Sequence, residues 1–125
     1  MRNLEYMHQV KVANYIDSTY PQALWTASSS GMRTNVITGK RMKMAGGKRG
    51  VPDILFFEPK GRLHGLFIEL KIPENKNLRQ RKGIVSAEQK EFLRKADERG
   101  YCAFVAYGAD EACKIIDDYV AERIK

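Results

Sequence analysis

Asp53, Glu69 and Lys71 are the residues of this chain whose types and spacing could do chemistry together. Asp53 follows Gly50-Val51-Pro52 and opens the apolar run Ile54-Leu55-Phe56-Phe57, where an acid is a poor strand former and packing gives it no role. Glu69 and Lys71 lie inside a second apolar run, Leu66 to Lys71. Side chains alternate along a strand, so Glu69 and Lys71 share one face and Leu70 takes the other. If the two runs pair as an antiparallel hairpin turning at Glu58-Pro59-Lys60-Gly61-Arg62, the start of the first lies beside the end of the second. Asp53 then meets Glu69 and Lys71. Charges within buried strands are costly unless they are paired or hold an ion. Two carboxylates with room for water suit Mg²⁺, a hard octahedral cation. An ammonium beside them could steady the charge of a reacting phosphate, or orient and deprotonate an attacking water. The same three side chains would also suit a plain ion pair on an exposed face, since structural ion-pair networks imitate catalytic ones.

The elements that must position these groups can be read from periodicity. Leu4, Met7, Val10, Val12, Ala13 and Ile16 predict an amphipathic helix from about Asn3 to Ser18, broken before Pro21. Ala23 to Ala27 suits a short strand, and 33–49 reads as a Gly-interrupted, partly helical connection. The runs at Ile54 and Leu66 are apolar on both faces, as interior strands are. Ser86 opens a helix with Phe92, Leu93 and Ala96 on one side and Gly100 at its end. Tyr101 to Tyr107 reads as a buried strand, and Asp110 to Ile124 as a last helix with Ala112, Ile115, Ile116, Tyr119 and Val120 inward. The expected order α-β-(α)-β-β-α-β-α makes a mixed α/β domain, a β-sheet flanked by α-helices. A chain of 125 residues with 43% hydrophobic residues suits a single domain over 1–125.

Charge is distributed unevenly. The net charge is +7, from 22 Lys and Arg against 15 Asp and Glu. Arg33, Lys40, Arg41, Lys43, Lys48 and Arg49 are six bases with no acid among them, and Lys76, Arg79, Arg81 and Lys82 are four more. Removing these ten leaves 12 bases against 15 acids, so the rest of the chain is net negative. Both segments contain Gly, Asn or Ser, as projecting loops or frayed helix ends do, and such projections suit the phosphates of a nucleic acid. A basic surface that serves only solubility is the alternative. Cys102 and Cys113 sit in apolar surroundings without Cys-x-x-Cys spacing and are expected to be reduced and buried. No run approaches the length of a membrane span and no secretory leader opens the chain, so a cytoplasmic protein with no membrane partner is expected.

Gly50-Val51-Pro52-Asp53-Ile54-Leu55, Phe67-Ile68-Glu69-Leu70-Lys71, Ser86-Ala87-Glu88-Gln89 and Gly100-Tyr101 through Ala106 together resemble, in order and spacing, the successive motifs of the VRR-NUC family of PD-(D/E)xK nucleases. The resemblance covers about the last three-quarters of the domain. It implies a restriction-endonuclease-like core in which Asp53, Glu69 and the Leu70 carbonyl ligate Mg²⁺ or Mn²⁺ and Lys71 serves the hydrolytic water. It further implies supporting roles for Gln89 and for an acid on the first helix, Glu5. Ser86-x-x-Gln89 is also a capping box, a role Gln89 can combine with facing the site. His8, one turn from Glu5, is expected at the surface; Tyr101, Tyr107 and Tyr119 are expected in the core or at the sheet edge.

Stand-alone members resemble dimeric enzymes acting on branched DNA such as Holliday junctions. The expected function is a metal-dependent, structure-selective DNA endonuclease acting as a homodimer. A flap or duplex nuclease and a non-catalytic nucleic-acid-binding protein of the same fold are the alternatives. A small self-contained chain of this kind also suits a phage or mobile element.

Overall fold

Alternation within two central strands decides how the layers form. The structure, a computed structural model, describes residues 3–28 and 36–124. Its elements are α1 (Asn3–Thr19), β1 (Trp25–Ala27), α2 (Val36–Met44), β2 (Ile54–Phe56), β3 (Leu66–Lys71), a 3-10 turn (Lys76–Leu78), α3 (Ala87–Glu98), β4 (Cys102–Tyr107) and α4 (Ala109–Val120). They build a four-stranded sheet in the order β1-β2-β3-β4. β1 and β2 pair antiparallel, β2 and β3 antiparallel, and β3 and β4 parallel, with α3 as the crossover between the last two. The sheet is therefore mixed, and both apolar runs are interior strands as their composition predicts.

Ile54 and Phe56 of β2, Leu66, Ile68 and Leu70 of β3, and Cys102 and Ala106 of β4 turn to one face. There they meet Val12 and Ile16 of α1 and Ala109, Ala112, Ile116 and Tyr119 of α4 in one core. On the opposite face Phe67 lies under α3, stacked on Tyr101 at 4.5 Å and tilted against Phe92. Both cysteines are free thiols; Cys102 is buried in the core, which pushes its pKa up to about 11. The Tyr119 hydroxyl donates to the Glu58 carbonyl at 2.7 Å, and the Glu58 carboxylate accepts the Leu24 amide at 2.7 Å, so one residue ties β1 to the β2–β3 connection.

Two expectations are corrected. Met7 and Val10 of α1 face solvent, and the inward residues are Val12 and Ile16. Two residues advance a helix by about 200°, so Val10 and Val12 cannot share a face. The β2–β3 connection spans 57–65, longer than the expected turn, with an isolated Lys60–Leu63 bridge inside it. The partly helical reading of 33–49 holds over its described part, where Lys40, Arg41 and Lys43 lie on α2. Among the described residues no helix is long and apolar enough to cross a membrane.

Ile68→Ala, at a fully buried position, should cost about 2–5 kcal/mol in urea unfolding. Tyr119→Phe should cost about 1 kcal/mol, and Met7→Ala less than about 0.5 kcal/mol. Equal costs for the first and last would contradict the assigned faces of the sheet and α1.

Candidate active site

β2 begins at Ile54, which pairs with Ile68 of β3. The next β3 amide directed to that side belongs to Leu70, and no β2 strand residue stands opposite it. The Asp53 carboxylate takes the vacant rung: its Oδ2 accepts the Leu70 N–H at 2.7 Å. The N–H and C=O of one strand residue point to the same side, so the Leu70 carbonyl is also directed toward Asp53. The alternation of β3 sends Glu69 and Lys71 to the α3 face together.

Glu69 is 3% exposed and is the charged side chain buried in the described part of the chain. Its Oε2 lies 3.7 Å from the Lys71 ammonium and accepts from Gln89 Nε2 at 2.9 Å. Its Oε1 is buried without a hydrogen-bond partner. Gln89 performs both roles read from its position. Its Oε1 accepts the Ser86 N–H at 2.8 Å and its own amide donates to Ser86 Oγ at 3.1 Å, closing the capping box. Its Nε2 is left to reach Glu69, because an amide side chain carries a donor and an acceptor.

Two glycines escaped the sequence reading. Gly50 has φ +80°, and a Cβ there would stand 2.6 Å from the Glu88 carbonyl, so its backbone rests directly on the start of α3. That contact brings the Asp53 segment to the helix that carries Gln89. Gly83 packs against Lys71: its N–H donates to the Ile72 carbonyl at 2.9 Å, and a Cβ would lie 3.2 Å from the lysine stem. The Gly-Val-Pro-Asp run and the Gly between Lys82 and Ile84 were the available signals.

Glu5 stands in the first turn of α1 within electrostatic reach of Asp53 and Lys71. Burial raises its pKa and the Asp53 charge adds to the rise, while Lys71 opposes it. His8 is half-buried rather than a free surface residue. Its Nδ1 accepts the Ala109 N–H at 3.0 Å and caps α4, whose N-cap Gly108 has no side chain to do so.

Burial pushes the Glu69 carboxyl up to about 8; the neighbouring Asp53 charge adds to this and Lys71 opposes it. Burial also raises Asp53, against the Leu70 N–H that lowers it. Two acids in a dry site thus compete to hold a proton that a cation could replace. The donors gathered are Asp53, Glu69 and the Leu70 carbonyl; no set of three or more acidic, His or Cys side chains suited to a metal occurs among the described residues. An orphaned buried carboxylate oxygen beside a second carboxylate fits a hard divalent ion.

The basic segments adjoin this site along the chain: Lys48 and Arg49 lead into Asp53, and Lys76, Arg79, Arg81 and Lys82 follow Lys71. Arg33 lies outside the described residues. Elsewhere several bases are paired, Lys11 with Asp110 at 3.0 Å, Arg94 with Glu91 and Glu98, and Lys114 and Arg123 with Asp118, while Lys60, Arg62 and Lys90 are not among the described residues. Lys40, Arg41, Lys43, Lys48, Arg49, Lys76, Arg79 and Arg81 make no ion pair with any described residue. The Lys82 ammonium sits 4.2 Å above the Tyr107 ring.

No family model matches the sequence, and no curated protein matches it. A comparison of folds finds similarity to a solved structure described as a VRR_NUC domain protein, with a TM-score of 0.74 and 26% sequence identity. The superposition covers 94% of this chain and 88% of that one.

The raised Glu69 pKa has a signed consequence. The folded metal-free protein holds a proton that the unfolded chain releases near 4.5, so stability is complete below that pH and falls as pH rises toward about 8. Thermal unfolding in EDTA should show this decline for the unsubstituted protein and a flatter profile for Glu69→Gln. Parallel profiles for the two would refute the buried-acid assignment.

Proposed function

Since the chain has the VRR-NUC fold, an α/β restriction-endonuclease-like core, we propose that it is a divalent-metal-dependent DNA endonuclease selective for branched DNA such as Holliday junctions. The observation that carries this reading is the buried, unpartnered Glu69 Oε1 beside Asp53 and Lys71, flanked by bases that no acid neutralises. Asp53, Glu69 and the Leu70 carbonyl would hold Mg²⁺ or Mn²⁺. Bound there, the cation would acidify water and polarise a phosphate oxygen.

The chain's own groups supply the rest. The Leu70 N–H holds Asp53 in one orientation. Gln89 fixes one Glu69 oxygen and leaves the other to be satisfied by the ion. Lys71, held beside Glu69 and walled by Gly83, points an ammonium at the place where phosphate charge grows. Glu5 supplies a further negative charge at the rim and can take a proton from water. The unpaired bases on α2, at Lys48 and Arg49, and in the segment after Lys71 grip the backbone by displacing counterions. Symmetric cutting of two strands requires two such sites related by a twofold axis, so the working form is a homodimer.

With labelled four-way junction and linear duplex, cleavage should require Mg²⁺ or Mn²⁺ and stop in EDTA. Asp53→Ala and Lys71→Ala should each slow cutting by at least about 10²-fold while junction binding persists. Cleavage at the unsubstituted rate by both variants would overturn the site.

Reversing charge at Lys40, Arg41, Arg79 and Arg81 should weaken capture and lower the slope of log affinity against log salt by about 3 to 4. An unchanged slope would remove these residues from the nucleic-acid surface.

A further inference from the structure

The segment that leaves Lys71 does not wander toward α3; it folds into a short two-rung projection. Ile72 and Gly83 are joined at its base by the Gly83 N–H at 2.9 Å, and Asn75 and Gln80 exchange both backbone bonds at 2.9 and 2.8 Å. The Gln80 side chain donates to the Pro73 carbonyl. Above the second rung the 3-10 turn is capped by Asn75 Oδ1, which accepts the Leu78 N–H at 3.3 Å. Arg79 closes the turn at φ 52°, the left-handed region that non-glycine residues seldom adopt. The root is pinned twice, by Gly83 against Lys71 and by Lys82 over Tyr107.

This ordered turn presents Leu78, 71% exposed, between Lys76, Arg79 and Arg81, none of which is ion-paired. An exposed apolar side chain with unpaired cations before and after it in one ordered turn is complementary to a ligand whose anionic groups flank apolar faces. A nucleic acid has that arrangement, phosphates outside and base faces inside, and offers both together only where a base step is open. We propose that Leu78 is a wedge that enters an opened base step while Lys76, Arg79 and Arg81 hold the adjacent phosphates. A closed duplex resists unstacking, whereas a branch point presents open base faces with less resistance. On the nuclease reading, which this inference deepens, the wedge makes the enzyme selective for structure. Leu78 lies six positions beyond Ile72, at most about 20 Å of extended chain, so the cut should fall within about six nucleotides of the opened step.

The test uses the full chain carrying Asp53→Ala, which binds without cutting, and a four-way junction with 2-aminopurine at the branch. Emission should rise at least about twofold on saturation, reporting an unstacked base. Adding Leu78→Ala should abolish the rise at equal occupancy, and Leu78→Met should restore it. A rise that survives Leu78→Ala, or no rise at saturation in the parent, would overturn the wedge. Displacement of the junction by polyglutamate at equal charge concentration would overturn it in favour of an acidic protein partner. Absence of cutting of any DNA by the unsubstituted protein with Mg²⁺ or Mn²⁺ would sink the nuclease reading alone, because the emission signal does not depend on cleavage.

Discussion

A glutamate at 3% exposure in the central strand of an apolar sheet is the constraint on which the rest of the structure depends. Removing a carboxylate from water costs several kcal/mol even after the protein relaxes, and one ion pair in poor geometry does not offset it. The Lys71 ammonium, at 3.7 Å, is at the outer limit of such a pair. Gln89 donates to one oxygen, and for the other the fold supplies no donor beyond the proton shared with Asp53. The chain holds Glu69 in that state through three local contacts that converge there. They are the Asp53 side chain on the Leu70 amide, Gly50 on the first turn of α3, and the capping box that orients Gln89.

The electrostatics of the surface follow from the same centre. Glu91, Glu98 and Asp118 on α3 and α4 hold local ion pairs, whereas the bases around Asp53 and after Lys71 hold none among the described residues. The carboxylates of Asp53 and buried Glu69 therefore lie, along the chain, between two cationic stretches. Exposed ion pairs contribute little stability, so their uneven placement bears more on what the surface can bind than on how firmly the fold is held. A polyanion laid across those stretches would bring negative charge toward the carboxylates, and a cation held between them would relieve that conflict.

Much of the architecture was legible because β2, β3, α3, β4 and α4 announce themselves by period, and each has its local punctuation: Pro52, Ser86, Gly100. The convergence of Asp53, Glu69 and Lys71 was readable from strand alternation plus one assumed hairpin. What could not be read concerns contacts between segments distant in the chain. His8 caps α4 across 101 residues, a role no local signal marks. Met7 and Val10 fit a loose helical spacing yet face solvent, because a helix of intermediate polarity carries two faint stripes and only packing against α4 selects one. The close approaches at Gly50 and Gly83 are visible as glycines in the sequence, but which backbone or side chain they admit is a matter of tertiary structure. The register of the projection after Lys71 rests on pairs such as Asn75 and Gln80 that carry no apolar pattern.

The most direct measurement is a titration of the metal-free protein with Mn²⁺, following the free ion by electron paramagnetic resonance. The account predicts one site per chain, weakened by at least about tenfold in Glu69→Gln and again when Asp53→Asn is added. Binding of undiminished affinity in the doubly substituted protein would contradict it.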